Sequence, residues 1–163
     1  LSVAPNIMSK QKGGYFVLKL AEKLKAENIK FILIGADGIV DTNNENVKVL
    51  DRIYNKDTLA DYYSIADAFV ICSERENFPT TCLEAQCCGT PVFGFATGGT
   101  RETDVLRHNG WVEYGDVEGL SNVVNEMINK GMKIRHPEIG QLAKEKYSTE
   151  AMCEKYYELY CSL

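Results

Sequence analysis

Histidine is nearly missing from this 163-residue chain: there are two, His108 and His136. Neither lies near a cysteine in sequence, and no Cys-x-x-Cys pair occurs among the six cysteines, so the ligand spacing of a zinc site is absent. No run of about 18 apolar residues exists, which excludes a membrane-spanning helix. Positive charge is not in excess. Lys and Arg number 18 against 23 Asp and Glu, for a net charge of −5, which argues against binding nucleic acid by neutralising phosphates. The opening LSVAPNIMSK has no basic stretch followed by an apolar one, so it does not read as a secretory signal. It begins inside a strand-like stretch, and the expectation is a piece of a longer protein. With no signal and core-like surroundings (FVICS, CLEAQCC), Cys72, Cys82, Cys87, Cys88, Cys153 and Cys161 are expected to be reduced, mostly buried thiols in the cytosol.

What is present is an ordinary globular composition, 45% hydrophobic and 25% charged, too apolar for a disordered chain. At roughly 100–200 residues per domain the length is that of one domain, able to bury about two-thirds of its unfolded surface. Residues 13–27 place Val17, Leu20, Ala21 and Leu24 at helical spacing. Residues 29–35 (IKFILIG), 68–72 (AFVIC) and 91–95 (PVFGF) are short apolar runs that predict buried strands, with weaker strands at 47–50 and 111–114. Helices are predicted at 56–65, capped by Asp57 or Thr58, at 79–88 with Pro79 in the first helical position and Gly89 past the end, and at 101–107. Leu120, Val123, Val124, Met127 and Ile128 mark a helix over 117–130, and two more follow at 137–146 and 149–161. Alternation of strands and helices without a linker or repeat predicts one α/β domain, a Rossmann-like doubly wound, mostly parallel sheet with helices on both faces. In such sheets ligands bind outside the carboxyl ends of the strands.

The loops after about residues 5, 35, 50, 72 and 95 stand there, and four of them can be read from their residues. The first holds Lys10, Lys12, Gly13 and Gly14. A lysine beside paired glycines at a helix start suits an anion, although an ordinary turn has the same composition; the Gly-x4-Gly-Lys pattern of a nucleotide-triphosphate loop is absent. Gly35-Ala36-Asp37-Gly38 reads as a plain turn. The third loop, residues 73–85, carries Glu76 before the predicted helix and Glu84 inside it. Carboxylates accept from sugar hydroxyls and the amides of residues 77–81 donate to phosphate oxygens, a combination that suits a nucleotide sugar; solvated charges near a helix start are the plain alternative. The fourth holds Gly98 and Gly99, which let the backbone pass close to a ligand or simply make a tight turn.

Taken in order, Glu76-Asn77-Phe78-Pro79-Thr80-Thr81-Cys82-Leu83-Glu84-Ala85, then Cys88-Gly89-Thr90-Pro91-Val92, then Gly98-Gly99-Thr100-Arg101-Glu102, resemble the C-terminal, donor-binding half of retaining glycosyltransferases of family 4, the group 1 type. The Lys12-Gly13 opening, the strand ending at Gly35 and the Tyr63-x-x-Ala66-Asp67 stretch extend the resemblance over nearly the whole chain. It implies one half of a GT-B enzyme, with residues 1–163 as the nucleotide-sugar-binding domain and an N-terminal acceptor domain, bearing a catalytic histidine, outside the chain; neither His108 nor His136 matches that histidine. It further implies a hexosyltransferase-like enzyme that moves a sugar from a nucleotide-sugar to a hydroxyl acceptor, in polysaccharide or glycolipid synthesis, with this half inactive alone. Glu76 would contact donor-sugar hydroxyls and stabilise positive charge in the transition state, and Lys12 would neutralise the diphosphate leaving group. Glu84 would bind the ribose, and the backbone near Arg52, Ile53 and Tyr54 would cradle the base. Asn77, Phe78, Thr80 and Thr81 would offer amides that Pro79 lacks, with Gly98 and Gly99 beside them. No cofactor or metal is implied. The implied place is the cytoplasm, with any membrane contact peripheral and made through the other domain.

Three departures stand out. Ile7 occupies the place of the family's usual Arg, five before the lysine, where Lys10, Gln11 or Arg52 would have to compensate. Pro79 replaces the commoner Gly, and Cys87-Cys88 the usual Ala-Cys. The rival reading is a non-catalytic nucleotide-sugar-binding module of the same fold: the missing Arg favours it and the intact pair Glu76 and Glu84 opposes it. A phosphorelay receiver shares the α/β rhythm, but Asn6 and Ile7 do not supply its acidic pair after the first strand.

Overall fold

A computed structural model describes residues 1–38, 40–107, 110–129 and 137–163; His108 and His136 lie outside the described residues. In chain order the elements are β1 (Ser2–Val3), α1 (Gly14–Lys23), β2 (Phe31–Ala36), β3 (Val47–Asp51), α2 (Lys56–Ile65), β4 (Phe69–Ile71), α3 (Thr80–Cys87), β5 (Val92–Phe95), a single 3-10 turn (Arg101–Thr103), β6 (Trp111–Val112), α4 (Val117–Asn129), α5 (Pro137–Tyr147) and α6 (Thr149–Cys161). All strand pairs are parallel, in two three-stranded ladders ordered β1-β2-β3 and β4-β5-β6. The ladders meet along β1 and β4. The Leu1 nitrogen donates to the Ala68 carbonyl at 2.8 Å, and the Val70 N–H donates to the Leu1 carbonyl at 2.8 Å. The lateral order is therefore 3-2-1-4-5-6, and it reverses between β1 and β4.

Period-two alternation divides the core into two layers. Phe69 and Ile71 of β4 face one side with Val92, Tyr63 of α2, and Cys82 and Ala85 of α3. Val70 and Cys72 face the other with Phe93, Phe95, Leu33, Phe16, Val17, Leu20, Leu24, Leu120 and Val124, so α1 and α4 cover that face. The predicted apolar stripe of α1 is buried throughout, and that of α4 is buried at Leu120 and Val124 but open at Ile128. At the far end, α5 buries Ile139 and Ala143, whereas no residue of α6 is buried.

The structure corrects four local expectations. Asn55, not Asp57 or Thr58, caps α2, its side chain accepting from the Thr58 N–H at 2.8 Å. Pro79 is the N-cap of α3 rather than its first helical residue. The helix expected over 101–107 stops after one 3-10 turn because the Leu106 N–H donates to Asp104 Oδ1 at 3.0 Å and the Val105 N–H to Gln86 Oε1 at 2.9 Å in place of helical carbonyls. The six thiols are free, but only Cys72 and Cys82 are buried; Cys87 and Cys88 are half-buried, and Cys153 and Cys161 lie exposed on α6. Burial pushes the Cys72 thiol up, and the Cys82 thiol up to about 12. Both stay protonated at neutral pH and act as small apolar residues.

Candidate functional site

The reversal of strand order leaves a crevice above β1 and β4, and the loops leaving these two strands meet across it. Two glycines allow the approach. Gly13 has φ +69, and a Cβ there would sit 2.1 Å from the Cys72 carbonyl oxygen; a Cβ on Gly14 would sit 2.5 Å from that of Ile7. The loop after β1 therefore lies directly on the end of β4. The Glu74 N–H donates to the Gln11 carbonyl at 2.8 Å. Lys12 Nζ donates to Glu76 Oε1 at 2.7 Å, with 24% and 15% of the two side chains exposed. Residues 64 apart in sequence thus form an ion pair shielded from much of the solvent, in the position where α1 and α3 begin.

The pair lines a cavity of about 120 Å³ together with Ser2, Ala4, Ile7 and the start of α3, Pro79 to Thr81. Lys12 is the one cationic side chain lining it among the described residues. Ile7, in the place of the expected arginine, is 1% exposed; its N–H donates to the Gly35 carbonyl, so it serves the core. Lys10 and Gln11 are exposed outside the lining, and Arg52 lies over the Tyr54 ring at 5.0 Å. The first turn of α3 presents N–H groups that no helical carbonyl can satisfy, and with the helix dipole they favour an anion.

Other predicted residues lie around this centre. Asn77 and Phe78 continue the same loop, exposed, with the Phe78 ring edge-on to Tyr147 at 5.7 Å. Glu84 is one helical turn beyond Thr80 on the same side of α3. It does not line the small cavity; its Oε2 accepts the Tyr63 hydroxyl at 2.8 Å. Arg52, Ile53 and Tyr54 follow β3 at the carboxyl edge of the sheet, apart from the cavity lining, with Tyr54 80% exposed. Gly98 and Gly99 underlie the Glu76 loop. The Gly99 N–H donates to the Glu76 carbonyl at 3.0 Å, and a Cβ on Gly98 or Gly99 would come within 1.9 Å of the Glu76 oxygen or 1.8 Å of the Asn77 oxygen.

That contact yields a first prediction. Gly99→Ala must push the loop off its seat, so it is expected to cost about 2–3 kcal/mol and lower Tm by about 5–10 °C in a chain of this size. A thermal melt that leaves Tm within 1–2 °C, as for an ordinary surface change, would show that the loop does not depend on this seat.

Sequence reasoning missed the bracing beneath the loops. Thr97 Oγ1 donates to the Ser73 carbonyl at 2.9 Å, and Thr100 Oγ1 donates to the Phe95 carbonyl at 2.9 Å, locking the exits of β4 and β5 together. Threonines after a strand carry no mark of such a role. Tyr63 counts there only as part of the resemblance, with no site role, whereas its hydroxyl reaches Glu84 from a different helix. Two larger hollows lie elsewhere: one of about 410 Å³ beside Arg101, Asp104, Arg107, Trp111 and Lys146, and an apolar one of about 770 Å³ at the amino ends of the strands, beside Ile32, Ile65 and Met127. Neither contains the Lys12–Glu76 pair or the start of α3. Among the described residues there is no group of three or more His, Cys, Asp or Glu placed to hold a metal ion, and no helix long and apolar enough to cross a membrane.

Comparison with known proteins bears on this geometry. The family described as glycosyl transferases group 1 matches residues 4–146. The N-acetyl-alpha-D-glucosaminyl L-malate synthase of Bacillus anthracis is 28% identical over 122 residues, covering 71% of this chain and 31% of that enzyme. A D-inositol 3-phosphate glycosyltransferase of Streptosporangium roseum is 49% identical over 73 residues, covering 44% of this chain and 17% of that one. Among solved structures, HepE of Anabaena in complex with UDP superimposes with a TM-score of 0.78 at 19% identity, over 99% of this chain and 48% of that chain. Sucrose-phosphate synthase of Thermosynechococcus elongatus does so with a TM-score of 0.74 at 21% identity, over 99% and 45%. The chain thus spans about a third of the malate synthase and just under half of these two structures.

Proposed function

Because the chain belongs to the glycosyl transferases group 1 family, we propose that it is the donor-binding, C-terminal half of a retaining glycosyltransferase that moves a sugar from a nucleotide-sugar to a hydroxyl acceptor, in polysaccharide or glycolipid synthesis. The observation that carries this reading is the meeting of Lys12 and Glu76, 2.7 Å apart, over the start of α3 at the strand-order reversal. A donor has an anionic diphosphate joined to a neutral, hydroxyl-rich sugar. Lys12 and the first amides of α3 suit the diphosphate; Glu76 suits the sugar hydroxyls and positive charge developing at the anomeric carbon. The lysine neutralises the leaving group, and a preorganised charge of this kind is a large catalytic term in a dry cleft. Glu84, exposed on α3, accepts from the ribose, the backbone at residues 52–54 lies against the base, and Gly98 and Gly99 hold the Glu76 loop in its working position. Lysine and helix start together supply the positive charge, so no metal enters the reaction.

The acceptor side belongs to a second, N-terminal domain. Support comes from α6, where Met152, Tyr156, Tyr157, Leu159 and Tyr160 are each more than half exposed. An apolar face of this kind fits a neighbouring domain better than water. The alternative, a binding module without catalysis, is favoured by one observation: Ile7 lines the cavity where a second cation would stand.

Ligand-observed NMR of the chain with UDP, GDP and ADP in EDTA tests the reading. UDP comes first, since the HepE structure holds it. Selective binding of one diphosphate, lost in Glu84→Ala, is the expected result, with no sugar transfer by this chain alone. A folded chain that ignores all three diphosphates would refute a preformed donor site.

A further inference from the structure

Glu84 lies on an exposed turn of α3, and a glutamate there would normally sample many rotamers. Here it does not stand alone. Its Oε2 accepts a hydrogen bond from Tyr63, which arrives from α2 and is itself only 2% exposed. The Tyr63 ring is fixed on every side. It packs on Phe69 with ring centroids 5.7 Å apart and shares its core layer with Ile71, Cys82, Ala85 and Val92. Its backbone is pinned as well, since Thr90 Oγ1 donates to the Tyr63 carbonyl at 2.6 Å. Burial, reinforced by the Glu84 charge, pushes the phenol far up from its ordinary range, so the hydroxyl remains a donor at every working pH.

We propose that Tyr63 is a positioning residue that holds the Glu84 carboxylate in the one orientation able to accept both hydroxyls of a ribose diol. The proposal rests on the assignment of Glu84 to the ribose. A vicinal diol offers two O–H donors side by side, and a carboxylate matches them only when its plane is set. Each carboxylate oxygen has two lone pairs, so the oxygen held by Tyr63 keeps one for the ligand and Oε1 keeps both. The hydroxyl at the end of a buried, immobile ring fixes that plane before the ligand arrives. Ordering the glutamate in advance removes a cost that binding would otherwise meet. Tyr63 thereby selects ribonucleotide over deoxyribonucleotide donors without touching the ligand.

The test is Tyr63→Phe. The ring and its packing stay, and the freed Glu84 oxygen reaches water, so the fold is expected to hold. Affinity is measured by titration calorimetry on the full chain for UDP, GDP and ADP and for the 2′,3′-dideoxy form of whichever binds. The variant is expected to bind the ribonucleotide about tenfold more weakly and the dideoxy form within twofold of wild type. In a Glu84→Ala background Tyr63→Phe is expected to add nothing, because the tyrosine acts only through the glutamate. In transfer assays on the full-length protein that includes the acceptor domain, KM for the donor rises while kcat holds, since the ribose is bound equally in ground and transition states. Equal weakening of both nucleotides would assign Tyr63 a purely structural role, and no weakening of either would remove any role; each overturns the proposal. A wild-type protein that binds ribo and dideoxy forms alike overturns it while leaving the donor site standing. Failure of wild type to bind any diphosphate removes the donor site and this proposal together.

Discussion

In the full-length protein that includes the proposed acceptor domain, replacing Lys12 with methionine is expected to lower kcat/KM for the donor by about 10²- to 10³-fold, the size seen when one preorganised charge or donor is taken from a reacting oxygen. Methionine keeps the apolar stem and removes only the cation. The loss is expected to be large here because Lys12 is the one cationic side chain lining the cavity among the described residues, with Ile7 buried where a second would stand. No other described side chain lining the cavity carries a positive charge that could take over. The variant also leaves Glu76, 15% exposed, without its ion-pair partner. Some loss of thermal stability accompanies it, because an uncompensated, partly desolvated carboxylate is unfavourable. Steady-state kinetics and a melt on the same sample separate the two effects. Transfer within about threefold of wild type, half a decade and well short of the predicted loss, would show that the helix start alone carries the diphosphate and that Lys12 serves only to hold the Glu76 loop.

Glu76→Gln is expected to split two properties that most substitutions move together. Glu76 accepts from Lys12 at 2.7 Å, so on the proposed reading a diphosphate would have to draw Lys12 away from a carboxylate and itself approach that negative charge. Glutamine has the same shape and still accepts from the lysine, which preserves the loop, but it relieves both obstacles. Binding of the bare nucleoside diphosphate is therefore expected to hold or tighten by a few fold, about 1 kcal/mol or less, as for a partly screened pair. Sugar transfer is expected to fall by at least about 100-fold, because the amide offers no full charge to the developing cation. Calorimetry with the diphosphate and kinetics with the intact donor, both on the full-length protein, read the two quantities separately. Transfer at the wild-type rate would show that Glu76 takes no part in the chemistry, and parallel loss of binding and transfer would mean that Glu76 shapes the loop instead of serving the sugar.

Both predictions depend on a contact that no local pattern in the chain announces. The element plan was legible because its signals are local. Val17, Leu20, Ala21 and Leu24 recur at the helical period and are buried, the short apolar run IKFILIG at 29–35 reads as a buried strand and forms β2 from Phe31 to Ala36, and Gly89 ends α3 with φ +85. Alternation of such elements leaves few topologies open. Where the expectations slipped, a side chain had competed for backbone groups: Asn55 took the cap of α2, and Asp104 cut short the helix expected over 101–107. The expectation of mostly buried thiols rests on the surroundings of Cys72, Cys82, Cys87 and Cys88, whereas Cys153 and Cys161 lie on α6, where no residue is buried.

By itself, then, the sequence determined the α/β class, the position of nearly every element, the family, and the residue types able to meet a nucleotide sugar, since each follows from spacing along one stretch of chain. The pairing of Lys12 with Glu76, the seating of the Glu76 loop on Gly98 and Gly99, and the grip of Tyr63 on Glu84 were decided only by the tertiary structure. These contacts join residues 64, 22 or 23, and 21 positions apart. The first exists because the strand order turns back between β1 and β4, the second because β5 pairs beside β4, and the third because α2 packs on α3. Reversal sends neighbouring loops from opposite halves of the sheet over one crevice, and packing on both faces then fixes which side chains can touch there.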